Sequence, residues 1–323
     1  MIHMRILVVG LGVIGTTYGY VFQASGHTVE HFIRENKQAD APSRLTVKLF
    51  DGRYNGKGEA KQAEYSLAFA QPDNSYDFIV ISVSAGKLAA AIQTLNEHNL
   101  QGTIIVLNGI WEEKSVVDQW FGHRPYILGY PVAGGSIEHG VLDSVLFGHL
   151  MLESQEKANI ANYADLMALL SSCHLKTEVP YDMLAWIWIH MAINAGVITT
   201  AAKYGDVFDP ARAAQTVMTS SKALMESVLT IREAIRIIEA RGVSFRHYRK
   251  DLLPYTIPPR IAGWLMKRMF ANNELTRRIM QLHSNVDDLI YVCKSVYDCG
   301  KEHGIPAPLL YPKYEHFAAQ LRK

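Results

Sequence analysis

Short apolar runs separated by stretches of helical length fill the first half of the chain. Arg5-Ile6-Leu7-Val8-Val9 is the first run and residues 28–33 the second; Phe78-Ile79-Val80-Ile81-Ser82-Val83, residues 103–107 and residues 126–129 follow. Runs this apolar, without polar alternation, suit strands covered on both faces. With helical patterns between them, such as residues 88–95, they predict an α/β domain built on a Rossmann-type doubly wound parallel sheet. Residues 45–51, followed by Asp51-Gly52 and Tyr54-Asn55-Gly56, predict a hairpin. The pattern breaks between Gly134 and Glu153, where glycines at 134, 135, 140 and 148 separate short β-like runs. These are expected as antiparallel strands closing the edge of the sheet.

Residues 175–180 read as a linker, and from Tyr181 onward the pattern is almost wholly helical. The expected organisation is a nucleotide-binding domain over residues 1–178 and an all-α C-terminal domain over residues 179–323. Within the latter, residues 211–241 predict one long helix, with Asp209 as N-cap, Pro210 at its first position and Gly242 past its end. Pro254, Pro258 and Pro259 interrupt the pattern before helices at 260–280 and 284–302.

Composition narrows the class. A chain of 323 residues with 49% hydrophobic content supports two cores. A net charge of +1 gives no footprint for nucleic acid or an anionic membrane. Cys173, Cys293 and Cys299 form no CxxC pair, which favours reduced thiols in a cytoplasmic protein over a disulfide framework or a metal site. Residues 183–202 are apolar over about the length of a membrane span, but they include His190 and Asn194 and read as a buried helix of a soluble domain.

The chemistry starts at the first strand's end. Gly10-Leu11-Gly12-Val13-Ile14-Gly15 follows a strand and precedes a helix, the context in which glycines let the backbone approach a pyrophosphate and aim a helix N-terminus at it. Arg34 ends the second strand, where an NAD-selective site presents a carboxylate to the ribose; a guanidinium suits a 2′-phosphate and hence NADP(H). Glu35, next to it, either pairs with Arg34 or takes the ribose itself. Ligands of such sheets lie beyond the carboxyl ends of the strands. That adds Ser82, Ser84, Asn108 and, in the glycine-rich segment, Gly135 to the candidate cofactor contacts. Asn108-Gly109 is equally a favoured turn dipeptide. In the helical half, His190 and Asn194 are four residues apart and share one face of an apolar helix. They read either as a satisfied structural network or as a proton donor and its polar neighbour facing a pocket. Trp186 and Trp188 supply either core or a homodimer surface.

Together these features resemble the ketopantoate reductase (2-dehydropantoate 2-reductase) family over essentially the whole length. The family's Trp-x-Lys-x-x-x-Asn helix motif is similar to Trp188-Ile189-His190-Met191-Ala192-Ile193-Asn194, and its late His-Gly-Ile-x-x-Pro segment to His303-Gly304-Ile305-Pro306-Ala307-Pro308. The resemblance implies NADPH-dependent reduction of a small 2-oxo acid to a 2-hydroxy acid. It places His190 at the catalytic lysine, Asn194 and Asn108 as positioning groups, and the late substrate contacts near Asn273 and Asn285. The family's other substrate asparagines fall near Ile198 and Phe208, and its loop lysine at Ser84, with Lys87 one turn on. Retention of the cofactor half and rewriting of the substrate half leave the substrate open, and pantothenate biosynthesis with it. Two other activities fit: an opine- or imine-type dehydrogenase, and a non-catalytic NADP-binding regulatory protein.

Overall fold

The computed structural model describes residues 3–34, 40–281 and 285–322. It divides into two compact units, one formed by residues 1–108 and 112–183, the other by residues 109–111 and 184–323.

The first unit opens with β1 (Arg5–Val9), α1 (Val13–Ala24) and β2 (Thr28–Phe32). After β3 (Arg44–Gly52) and β4 (Glu59–Ser66) come β5 (Ser75–Ile81), α2 (Leu88–Glu97), β6 (Gln101–Leu107), α3 (Lys114–Phe121) and β7 (Tyr126–Tyr130). Then follow β8 (Ala133–Glu138), β9 (Val141–Phe147), β10 (His149–Leu152), α4 (Tyr163–Ser172) and β11 (Lys176–Glu178). The main sheet runs β11-β10-β7-β6-β5-β1-β2. Its pairs from β2 to β7 are parallel, and β10 adds antiparallel to β7. Ile6 and Val8 on one face, and Leu7, Ile79 and Val106, are all fully buried, which is why these runs do not alternate. Each such side chain contributes about 1.5–3 kcal/mol relative to exposure.

The glycine-rich segment behaves differently from the expectation. Of its strands only β10 joins the main sheet; β8 and β9 join the β3–β4 hairpin in a second sheet of order β4-β3-β9-β8, in which β3 and β9 are parallel. Gly135 explains part of this, since a Cβ there would lie 2.3 Å from the Asp143 carbonyl oxygen. Only a residue without a side chain lets β8 lie so close to β9. The expected linker at 175–180 likewise contains β11, a strand parallel to β10. One core joins both sheets through Ile6, Tyr18, Phe22, Leu45, Leu146 and Leu166.

The second unit contains α5 (Met183–Tyr204), α6 (Pro210–Thr219), α7 (Ser221–Ala240), a short 3-10 turn, α8 (Arg249–Thr256), α9 (Pro259–Asn272), α10 (Glu274–Gln281), α11 (Val286–Glu302) and α12 (Leu310–Gln320). Asp209 caps α6 by accepting from Arg212 N at 3.1 Å, with Pro210 next, as the sequence predicts. The single helix expected over 211–241 is two. Ser220 leaves helical geometry (φ −107°, ψ 109°), and its hydroxyl accepts from Ala223 N at 3.2 Å, restarting the chain as α7. Helix α5 is apolar and long enough to cross a bilayer, yet 67% of its apolar window is buried inside the protein. Trp186 and Trp188 belong to that buried part and are core.

Candidate functional site

In the first unit β1 delivers the chain to Gly10, whose φ of +86° is the left-handed region that a side chain would strain. Gly10 N donates to Phe32 O at 2.8 Å, tying the glycine loop to the end of β2. A Cβ on Gly12 would lie 3.5 Å from Ser82 O, so the loop also lies against the end of β5. Helix α1 starts with Gly12 as N-cap, with no side chain capping it and no acid in its first turn. Its first N–H groups are therefore open to an anion, with the helix dipole adding to the attraction. Leu11, Val13 and Ile14 are half-buried around this turn, and Gly15 is buried against Val8. This geometry fits a dinucleotide pyrophosphate.

Arg34 is exposed just beyond β2; Glu35, the alternative partner, lies outside the described residues. Ser82 and Ser84 are half-buried past the end of β5. Asn108 is buried, and its carboxamide clasps one residue of the neighbouring strand's exit: Nδ2 donates to Val83 O while Oδ1 accepts from Val83 N at 3.3 Å. It fastens the ends of β5 and β6 together at the carboxyl edge. A cavity of about 810 Å³ in this unit lies at the other edge, lined by Tyr76, Asp77, Gln101 and Arg124 among others, and is not where a doubly wound sheet holds its ligand.

Sequence spacing offered no sign of His31. This ring is completely buried in β2, with Nδ1 on Gly10 O at 2.8 Å and Nε2 against Tyr65 Oη at 2.7 Å. Burial pushes its pKa down to about 4, against the opposing effect of the Gly10 bond.

In the second unit, α5 carries His190, Ile193, Asn194 and Ile198 on its half-buried face, while Ile187, Ile189, Met191 and Ala195 are buried. The His190 imidazole stacks on Trp186, ring centroids 4.9 Å apart and planes 11° from parallel. Trp186 is held in turn by Nε1 donating to Asp251 Oδ1 at 3.1 Å. Spacing alone puts His190 and Asn194 on one helix face; it gives no sign of the Trp186–Asp251 bond. Across the same helix Arg241 lies 3.6 Å over the Trp188 ring and 4.3 Å over Trp111. Asn273 and Asn285 act as helix starts, accepting from Thr276 N at 3.0 Å and Asp287 N at 3.2 Å. Phe208 and Lys87 are exposed. The His303–Pro308 segment is held locally: His303 Nδ1 bonds Cys299 O at 2.9 Å, and Ile305 O accepts from Tyr311 at 2.6 Å. Among the described residues no cluster of His, Cys, Asp and Glu could hold a metal.

Fold and loop define a dinucleotide-binding α/β protein with an all-helical second unit. Residues 6–163 match the family model described as ketopantoate reductase PanE/ApbA, and the domain they form belongs to that family. No curated protein matches the chain in sequence. Solved structures match its fold over nearly the whole length. D-mandelate dehydrogenase with NADH and anilino(oxo)acetate is 14% identical at a TM-score of 0.68, covering 98% of each chain. Dimeric ketopantoate reductase from Staphylococcus aureus is 14% identical at 0.62, covering 98% of this chain and 99% of that one. NADP+-bound yersinopine dehydrogenase is 12% identical at 0.66, covering 99% and 91%.

Proposed function

We propose that the protein is an NADPH-dependent oxidoreductase of the ketopantoate reductase type, reducing the carbonyl of a small 2-oxo acid to the 2-hydroxy acid. The observation that carries this reading is the open, uncapped α1 N-terminus behind Gly10, in a domain of this family. Solved relatives in fold hold NADH or NADP+, which supports a nicotinamide cofactor. Gly10 to Gly15 would hold the pyrophosphate, with Ser82, Ser84 and Gly135 as further contacts. Arg34, exposed at the end of β2, would take the 2′-phosphate and select NADP(H) over NAD(H). When bound, the reduced nicotinamide supplies the hydride.

The chain's own residues supply position and a proton. The His190 imidazole delivers a proton to the substrate's carbonyl oxygen as it becomes a hydroxyl, and its stacking on Trp186 restricts the ring to one orientation. Asn194, one turn on, and Asn108 would orient the carbonyl and the nucleotide ribose, and Asn273 and Asn285, whose side-chain oxygens start helices, would be the late substrate contacts that the resemblance implies. Ile198 and exposed Phe208, at positions where the family has asparagines, disfavour a substrate whose own hydroxyl needs a hydrogen bond. The reading includes a cytoplasmic location and a homodimer. Helix α9 offers a surface for the latter, with Ile261, Trp264, Leu265 and Met269 between 43% and 53% exposed.

The test is NADPH consumption by the purified protein across a panel of 2-oxo acids, with and without added amines. Turnover on a 2-oxo acid alone supports the reading. Turnover that requires an amine supports an opine- or imine-type dehydrogenase, for which the yersinopine dehydrogenase fold match is the favouring observation. Tight NADPH binding with no turnover across the panel refutes both and leaves a regulatory nucleotide-binding protein.

A further inference from the structure

We infer that His31 is a positioning residue for the nucleotide: a buried lock that fixes the direction of the Gly10 peptide, its Nε2 held by Tyr65. The inference rests on the nucleotide reading above and says how this particular chain holds its loop in shape. Gly10 sits at φ +86°, where glycine has many alternatives, so its conformation must be held by partners. Two are present, one on each side. Gly10 N donates to Phe32 O at 2.8 Å, and Gly10 O meets His31 Nδ1 at 2.8 Å.

A carbonyl oxygen only accepts, so Nδ1 must carry the proton. In a neutral ring Nε2 is then a lone pair, and it lies 2.7 Å from Tyr65 Oη, whose O–H donates to it. His31 and Tyr65 are both wholly buried, so water does not compete for either bond. The backbone of His31 is itself clamped, its N donating to Ala68 O at 2.7 Å and its O accepting from Ala70 N at 3.0 Å. Room for the arrangement comes from Gly19 on α1: a Cβ there would sit 2.7 Å from Tyr65 Oη and 3.3 Å from His31 Nε2. The consequence for the loop follows from peptide planarity. Gly10 C=O and Leu11 N–H belong to one trans peptide and point in opposite directions, so holding the carbonyl toward His31 turns the Leu11 N–H the other way. A donor of the glycine loop is thereby aimed before any ligand arrives.

The experiment measures NADPH affinity by calorimetric titration of the full chain, in wild type and in His31→Leu, His31→Asn and Tyr65→Phe, each first checked for a cooperative thermal transition. His31→Leu removes the donor to Gly10. His31→Asn puts a carboxamide N–H about where Nδ1 stood. Tyr65→Phe leaves the imidazole and its bond to Gly10 but removes the hydroxyl that holds Nε2. We expect His31→Leu to weaken NADPH binding by about 3- to 10-fold, the range for losing one net hydrogen bond, and Tyr65→Phe, which keeps the bond to Gly10, to weaken it less. His31→Asn should recover most of that loss, a rescue that a merely space-filling role would not give. In ¹⁵N-histidine spectra His31 should show a protonated Nδ1 in wild type and in Tyr65→Phe alike, because the Gly10 carbonyl can only accept. Wild type that binds NADPH while all three variants bind equally well overturns the inference alone, as does His31→Asn no better than His31→Leu. Wild type that binds no nicotinamide nucleotide overturns the nucleotide reading and the inference together.

Discussion

Asp51 is the most exposed point of failure in the first unit, because it is a fully buried charge with all its compensation in two neighbours. Its carboxylate accepts from Arg53 N at 3.0 Å, Arg53 Nε at 3.0 Å, Arg53 Nη2 at 2.9 Å and Lys61 Nζ at 3.0 Å. The Asp51 side chain is 0% exposed and that of Arg53 7%. Burial alone would raise the Asp51 pKa, but these bonds outweigh it and hold it below the usual carboxylate range. Arg53 also reaches Cys173 O at 2.9 Å, joining the second sheet to the end of α4. Replacing Asp51 with Leu would leave a buried guanidinium with that carbonyl and the face of the Tyr54 ring, and no anion. Breaking a buried pair from one side costs about 3–5 kcal/mol, a large share of the roughly 5–15 kcal/mol that holds a domain folded. Replacing both partners by Leu removes the charges together and should cost markedly less than either single change implies. Urea unfolding at neutral pH of Asp51→Leu, Arg53→Leu and the Asp51→Leu/Arg53→Leu double variant measures this. A single-variant loss of under about 1 kcal/mol, or strictly additive losses, would show instead that the pair behaves like an exposed one.

Three further outcomes follow from the same physics. His31 titrates at about 4 when folded and near 6.5 unfolded, so its contribution is complete above pH ~6.5, is lost as pH falls toward 4, and amounts to about 3 kcal/mol; urea titrations from pH 7 to 4 should show a steeper acid loss in wild type than in His31→Asn, and parallel curves would contradict this. Gly135→Ala pushes a Cβ to 2.3 Å from Asp143 O and should lower stability by about 1–3 kcal/mol, read as a drop in the thermal midpoint; an unchanged midpoint would show that β8 and β9 separate freely. Glu226, which burial would raise but hydrogen bonds from Lys203 and Tyr204 and the charge of Lys313 bring down to about 2, stabilises above pH ~4.5 and loses that effect toward pH 2. Glu226→Gln should therefore lower the thermal midpoint at pH 7 and converge on wild type in acid, whereas a constant difference across pH would count against it.

The parts legible in the sequence are those whose cause is local. The apolar run of β5 reads as a strand because Phe78, Ile79, Val80 and Ile81 are all fully buried, so both faces need apolar residues. The Asp209-Pro210 start of α6 is a cap and a fixed φ in adjacent residues. The glycine loop is legible for the same reason, and the four-residue spacing of His190 and Asn194 does put both on the half-buried face of α5. What stayed hidden depends on partners far along the chain. Alternation and glycines announce β8 and β9 as strands, but not that β9 would lie parallel to β3, nearly a hundred residues earlier (Thr46 opposite Val141). The break at Ser220 has no Gly or Pro; a serine pair between helix-forming stretches was its one signal, and it is weak. His31 and Tyr65 are separated by 34 positions. Asn108 shows the limit for sites: Asn-Gly at a strand end fits a turn or a ligand contact, and its clasp on Val83 is visible only once β5 and β6 are neighbours.

Proton delivery by His190 in carbonyl reduction, as proposed, is tested by turnover of His190→Ala and His190→Gln on the best 2-oxo acid substrate, alongside NADPH affinity. The expected outcome is a kcat lower by about 10²- to 10⁴-fold, the usual contribution of a general acid, with NADPH bound as in wild type. Wild-type turnover in either variant would contradict it.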